Sequence, residues 1–415
     1  MTAQKDKKFK STIETQAFLA GELTQVDVGR IEKELKELWN AAAASDEKDD
    51  GDQGKQRPSN VMRACSANVV LYSTDADAEV AGSDVLDEIA IQHPSRAILA
   101  ISRKSQARRI EAWVSARCHV ADARALKQIC SEQITVRYEG EGTKELASVV
   151  APLVIPDLPV LLWWRAGDLD RQHLEPFLRF IDRLVVDSRR AHDLPSFFNK
   201  LALLSAEFGA KPVVSDVAWG RLFPWRNSIA NAFQDGGGPL TIASLKSISE
   251  VRICYAVKGD AGTDASASCE ALLLAAWLGS RLQWKVIGVE LDDNGGLLKF
   301  DDRGRAVTVR LLALPCDRVS RGTVFSVTLS VETPVAKSVT VEQKPGTPCL
   351  YVHPASEAGC KELNQSAESF SELGEAKLID NELEFSKRDL VYAETLRLID
   401  EIGKTISAAR KGKKE

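Results

Sequence analysis

An arginine closes the apolar run Val160-Leu161-Leu162-Trp163-Trp164-Arg165. A guanidinium beside an indole can hold an oxyanion in a forked geometry, or anchor a protein partner. The same pairing of residue types recurs. Arg189 and Arg190 follow Asp187, and Arg221 and Arg226 flank Trp225 in the segment that also carries Trp219. The candidate partner or ligand surface is therefore Trp163, Trp164, Arg165, Asp187, Arg189, Arg190, Trp219, Arg221, Trp225 and Arg226. It suits a sugar-phosphate site or a protein hot spot. The plainer alternative pairs these arginines with Asp157, Asp168, Asp187 and Asp216 as surface ion pairs and leaves both indoles in the core. Neighbouring strand residues point to opposite faces. Trp163 and Trp164 are thus expected to split, one under a helix and one near a rim with Arg165.

Other chemistry finds little support. No Walker A sequence, no G-x-G-x-x-G and no G-x-S-x-G elbow occurs. The five histidines, His93, His119, His173, His192 and His353, are scattered, and no His/Asp/Glu cluster suggests a metal. The eight cysteines contain no C-x-x-C, which disfavours zinc. Cys349 and Cys360 flank a loop-like segment and are the one possible redox pair. Residues 258–268, rich in Gly, Ser and Asp, could hold an anion at the next helix start; an ordinary cap by Ser266 or Ser268 is the simpler reading. No cofactor is implied, and the reading is of a non-enzyme.

The elements that must position these residues can be read from periodicity. Pro159 opens the strand that ends in Trp163-Trp164, and a short run without polar positions marks a strand buried on both faces. Ligands and partners of such sheets gather at the strands' C-terminal ends. Strands are expected at 68–73, 97–102, 110–120, 132–138, 160–164 and 183–186, with helices at 75–92, 144–152, 174–180 and 193–208. This alternation predicts an α/β fold with a mostly parallel sheet between helices. A second part follows the Gly236-Gly237-Gly238-Pro239 turn, with one apolar helix at 269–282 and several strands, an α+β pattern of antiparallel strands. The expected segments are 1–59, an N-terminal helix and flexible linker; 60–235, the α/β domain; 236–385, the smaller α+β domain; and 386–415, a C-terminal helix with a basic tail.

Composition narrows the class. The chain has 415 residues, 44% hydrophobic and 27% charged, with a formal net charge of −5. That length allows two domains, and that charge points to neither nucleic acid nor a membrane surface as partner. No apolar run is long enough to span a bilayer, and the polar N-terminus lacks a signal-peptide core, so the expected location is the cytoplasm.

Several segments, in order, resemble the glucose-6-phosphate dehydrogenase assembly protein OpcA family. They are His93-Pro94-Ser95-Arg96 before a strand, IPDLPVLLWWRAGD at 155–168, LVVDSRR at 184–190, SDVAWGRLFPWRNSIANAF at 215–233 and ALLLAAWLGSRLQW at 271–284. Gly220 and Phe223 depart from the family pattern. The resemblance implies a non-catalytic effector that promotes assembly or allosteric activation of glucose-6-phosphate dehydrogenase in the oxidative pentose phosphate pathway. It identifies no catalytic residues. The alternative is a sugar-phosphate-binding sensor or enzyme that uses the arginines at the sheet's C-terminal edge.

Overall fold

Runs that are apolar at every position become the buried parallel strands, because helices cover both of their faces. The computed structural model describes residues 18–19, 24–46, 60–74, 78–122, 127–140, 144–208, 211–236, 238–258, 268–292, 295–332, 338–343, 349–354, 368–369, 374–384 and 387–412. The chain forms two compact units. The first takes residues 1–70, 76–141 and 145–159; the second takes 71–75, 142–144 and 160–415. The division thus falls at Pro159/Val160, and the strand over residues 67–73 contributes to both units.

The first unit contains β1 (Phe18–Leu19), β2 (Thr24–Val26), α1 (Ile31–Asp46), β3 (Asn60–Arg63), the start of β4 (Ala67–Ser73), α2 (Ala78–Gln92), β5 (Ser95–Arg103), β6 (Arg109–Asp122), β7 (Lys127–Glu139) and most of α3 (Lys144–Val150). Its strands lie in the order β1-β6-β7-β5-β4. β3 and β5 run parallel to β7, while β6 folds back on β7 as an antiparallel hairpin. Ile31 and Leu35 of α1 are buried, on the face that the 3.6-residue period predicts. One charged knot holds this unit. The buried Arg96 of β5 donates from Nε to Glu132 Oε2 at 2.7 Å, and from Nη1 to Leu153 O at 2.8 Å. Its Nη1 also meets Glu32 Oε1 on α1, and Trp39 Nε1 donates to Glu132 Oε1 at 2.6 Å.

The second unit begins with β8 (Val160–Trp164), α4 (Arg171–Leu178), β9 (Arg183–Val186), α5 (Leu194–Phe208) and β10 (Val213–Asp216). These three strands are parallel and adjacent, and every residue in them is buried. Two short helices, α6 (Val217–Arg221) and α7 (Phe223–Asn231), meet at Leu222, and Pro224 sits in the first turn of α7. A second sheet follows. It is built from β11 (Ile248–Val257), β12 (Lys285–Asp292), β13 (Gly295–Asp302), β14 (Arg305–Pro315), β15 (Val324–Val331), β16 (Ser338–Gln343), β17 (Cys349–Pro354) and β18 (Glu368–Ser369), with α8 (Cys269–Leu282) between β11 and β12. Its order is β12-β13-β14-β11-β15-β16-β17-β18. β11 and β14 are parallel, and the other pairs are antiparallel. The alternating burial along β13, β14 and β15 reflects a sheet with one packed face.

The α/β class, with a mostly parallel first sheet and a mostly antiparallel second one, agrees with the reading from sequence. Two helices close the chain, α9 (Glu375–Glu384) and α10 (Leu390–Gly412). The segment 386–415 is expected to be a helix with a basic tail. The helix runs on to Gly412, since Ser407-Ala408-Ala409-Arg410-Lys411 contains nothing that ends a helix. α10 packs on α5 and α8. The linker expected before residue 60 lies largely outside the described residues.

Arg96→Met should remove the buried ion pair of the Glu132 carboxylate, and lower stability by about 3 kcal/mol. Adding Glu132→Gln should restore roughly half of that loss, because an amide is cheaper to bury and still accepts from Trp39. Urea unfolding of the two variants beside the parent checks both outcomes.

Candidate functional site

The C-terminal ends of β8, β9 and β10 bring most of the candidate residues together. Strand geometry sends Trp163 and Trp164 to opposite faces of β8, yet both indoles are buried, at 0% and 1% exposure. The expectation puts one indole under a helix and one near a rim with Arg165; neither indole is exposed. β8 lies between β4 and β9 within the sheet, and every residue in it is buried. Trp164 stacks on Tyr72 with ring centroids 3.9 Å apart, meets the edge of Phe177, and donates from Nε1 to Asp168 O at 2.9 Å. Trp163 carries the Arg165 guanidinium 5.0 Å from its ring centroid.

The arginines find other partners than the aspartates nearest them in sequence. Arg165 Nη2 lies 3.2 Å from Glu375 Oε2, and Arg190 Nη2 lies 3.7 Å from Glu375 Oε1. Arg189 Nη1 lies 3.7 Å from Glu270 Oε1. Asp168 pairs with Lys200 instead, and the Asp187 side chain accepts from the Arg189 backbone N–H. Glu270, in the first turn of α8, also accepts from Val324 N at 3.0 Å. Burial pushes its carboxyl up; Arg189, the Val324 N–H and Arg221 oppose that shift, and Asp187 adds to it. Ser268 caps α8 through Ala271 N, so the segment before it ends in an ordinary cap.

Asp216 is a buried, strongly perturbed acid. It ends β10 and caps α6: its Oδ1 accepts from Ala218 N at 2.9 Å and Ser188 N at 3.1 Å. Its Oδ2 accepts from the Tyr392 hydroxyl of α10 at 3.2 Å. Burial, and then the nearby Asp187, push its carboxyl up to about 7. The plainer alternative makes it a surface ion-pair partner; it is instead a buried cap. Trp219, one turn on, donates from Nε1 to Asp389 Oδ2 at 2.7 Å, and the Arg226 guanidinium lies 3.3 Å from its ring centroid. Burial lowers Arg226 to about 10, against the pull of Asp389. Trp225 is buried within α7. Cys349 is a half-buried free thiol, while Cys360, its suggested redox partner, lies outside the described residues.

Sequence reasoning missed Glu375, Glu270, Asp389 and Tyr392. Glu375 had a signal. The segment EAKLIDNELE places Ala376, Leu378 and Ile379 on one buried side, a short amphipathic helix that went unread. Gly167 fixes the loops that carry the arginines. Its carbonyl accepts from His192 N at 3.0 Å, and a Cβ there would lie 2.6 Å from Arg190 O.

The geometry describes an α/β protein whose parallel strand ends are covered by acids from its own later segments. Two family domains match this chain in order. One is described as the glucose-6-phosphate dehydrogenase subunit N-terminal domain, over residues 86–203; the other is the corresponding C-terminal domain, over residues 212–396. The chain belongs to the OpcA family. A relative from Synechocystis sp., described as an OxPP cycle protein OpcA, is 28% identical over 55% of this chain and 44% of its own length. A second, from Nostoc punctiforme with the same description, is 26% identical over 75% of this chain and 66% of its own. The chain thus spans about half to two thirds of these relatives. Among solved structures, an oxidoreductase from Sinorhizobium meliloti is 11% identical with a TM-score of 0.48, covering 86% of this chain and 99% of that one. That likeness says nothing about activity. Among the described residues, no helix is long and apolar enough to cross a membrane.

Two outcomes follow from this geometry. Unfolded Asp216 ionises near its ordinary value of 3.8, whereas the folded carboxyl keeps its proton to about 7. The folded state then binds more protons between those values, so stability falls as pH rises through that window and levels off above it. Asp216→Asn keeps the cap and removes this component. Its stability relative to the parent should rise from pH 5 to pH 8, by on the order of a few kcal/mol in urea unfolding. Gly167→Ala should destabilise the fold by about 1–3 kcal/mol, because its Cβ would meet the His192 ring and the backbone Arg190 O, and the backbone cannot easily give way. A thermal melt checks it.

Proposed function

We propose that this chain is a non-catalytic, cytoplasmic effector that promotes assembly or allosteric activation of glucose-6-phosphate dehydrogenase in the oxidative pentose phosphate pathway. The observation that supports this reading most is the match to both family domains, in order, over residues 86–203 and 212–396. The cyanobacterial relatives described as OxPP cycle proteins point to the same pathway. The strand-end chemistry is in keeping with it. Asp216, the acid with the raised carboxyl, spends its oxygens on Ser188, Ala218 and Tyr392. A carboxyl so engaged holds elements in place, whereas a general base needs an oxygen within reach of substrate.

An effector changes an enzyme only by binding one of its states more tightly than another. Titrating this chain into the dehydrogenase of the same cell should therefore lower the KM for glucose 6-phosphate severalfold, or shift the enzyme to a larger assembly in sedimentation. Unchanged kinetics and unchanged mass at saturating protein would overturn the reading.

A further inference from the structure

Two arginines leave the ends of neighbouring parallel strands and converge on one carboxylate. Arg165 and Arg190 face different oxygens of Glu375, at 3.2 and 3.7 Å. Their positions are set by the sheet. Arg165 follows β8 directly, donates its backbone N–H to Tyr72 O at 2.9 Å, and is 8% exposed. Arg190 ends the 3-10 turn after β9, and Gly167 holds the two loops in contact. The carboxylate comes from elsewhere: Glu375 opens α9, 185 residues beyond Arg190 in sequence, and its side chain is 25% exposed. Among the described residues, no atom lies within 4 Å of where a Gly374 side chain would be.

A guanidinium pair takes a phosphate in the same fork geometry as a carboxylate. A carboxylate offers two oxygens, and the arginines face both. A phosphate brings a further oxygen. The Trp163 indole lies fully buried beneath the Arg165 guanidinium, and its N–H meets no acceptor among the described residues. The position, outside the carboxyl ends of parallel strands, is where α/β sheets bind small ligands.

We propose that Arg165 and Arg190 form a binding site for the phosphate group of a small metabolite, and that Glu375 is the resident anion which this group displaces. The resident carboxylate lowers the apparent affinity, because the ligand binds only the fraction of molecules in which Glu375 has left. Displacing it frees the start of α9, which gives the site a structural readout. The site stands independently of any dehydrogenase, since the isolated full chain carries all of its groups.

Calorimetry of the full chain with inorganic phosphate and with glucose 6-phosphate, at matched ionic strength, tests this. Glu375→Gln should bind one or both about tenfold more tightly than the parent, a gain of about 1.4 kcal/mol. Adding Arg190→Ala to Glu375→Gln should abolish that binding, and unphosphorylated glucose should give no heat in any variant. Binding of both probes identifies the phosphate group alone as the ligand feature; binding of glucose 6-phosphate only identifies its ester. Circular dichroism confirms that each variant is folded. A folded Glu375→Gln chain that binds neither probe, or an Arg190→Ala double variant that binds as well as Glu375→Gln, overturns the proposal.

Discussion

A guanidinium at the end of a buried parallel strand must meet a carboxylate, since an unpaired charge there is strongly unfavourable. The second unit meets this need from its C-terminal segment. α9 places Glu375 against Arg165 and Arg190, and Glu382 against Arg183 at the opposite end of β9, with Nη1 to Oε2 at 2.6 Å. Seven residues of helix advance about 10 Å, and three residues of strand advance about 10 Å. One helix beside one strand can therefore pair with both ends of it. Burial still pushes the Glu382 carboxyl up despite Arg183, so removal from water outweighs the ion pair. Asp389, just before α10, and Tyr392 within it continue the pattern, the first on Trp219 and the second on Asp216.

That closure governs how the perturbed groups are read. Strongly shifted acids often mark catalytic sites, but structural networks shift them too. Here Asp216 and Glu270 are both pushed up by burial, and each accepts from backbone N–H groups at the start of another element. Their work is to join strands to helices. The buried Cys269 thiol, next to Glu270, is raised for the same first reason, loss of water.

Much of the frame was legible in the sequence, because local rules set it. Pro159 and the unbroken run after it gave β8, and Leu184-Val185-Val186 gave β9. The arginines at the strand ends were found as a group, for the same reason. Their partners were not found. Asp168 and Asp187 are close in sequence, but the ion pairs form with residues far along the chain, and sequence distance says nothing about that. β13 was hidden because its alternation is weak: GGLLKFDD has two glycines and paired charges at its ends, and it becomes a strand only through pairing with β12 and β14. Side-chain alternation assigns the two indoles to opposite faces without saying whether either face is covered, and both are buried.

Hydrogen exchange tests the closure of the strand ends most directly. The amides of residues 165–169 and 187–191 should be compared in the parent and in the variant carrying Glu375→Gln, Glu382→Gln and Asp389→Asn together. If the C-terminal acids hold these ends, protection there should fall by about tenfold or more while β11, β14 and β15 keep theirs, as expected when a local opening becomes easier by more than 1.4 kcal/mol. Equal protection in parent and variant would contradict it, and would mean that the strand ends hold their arrangement without α9 and α10.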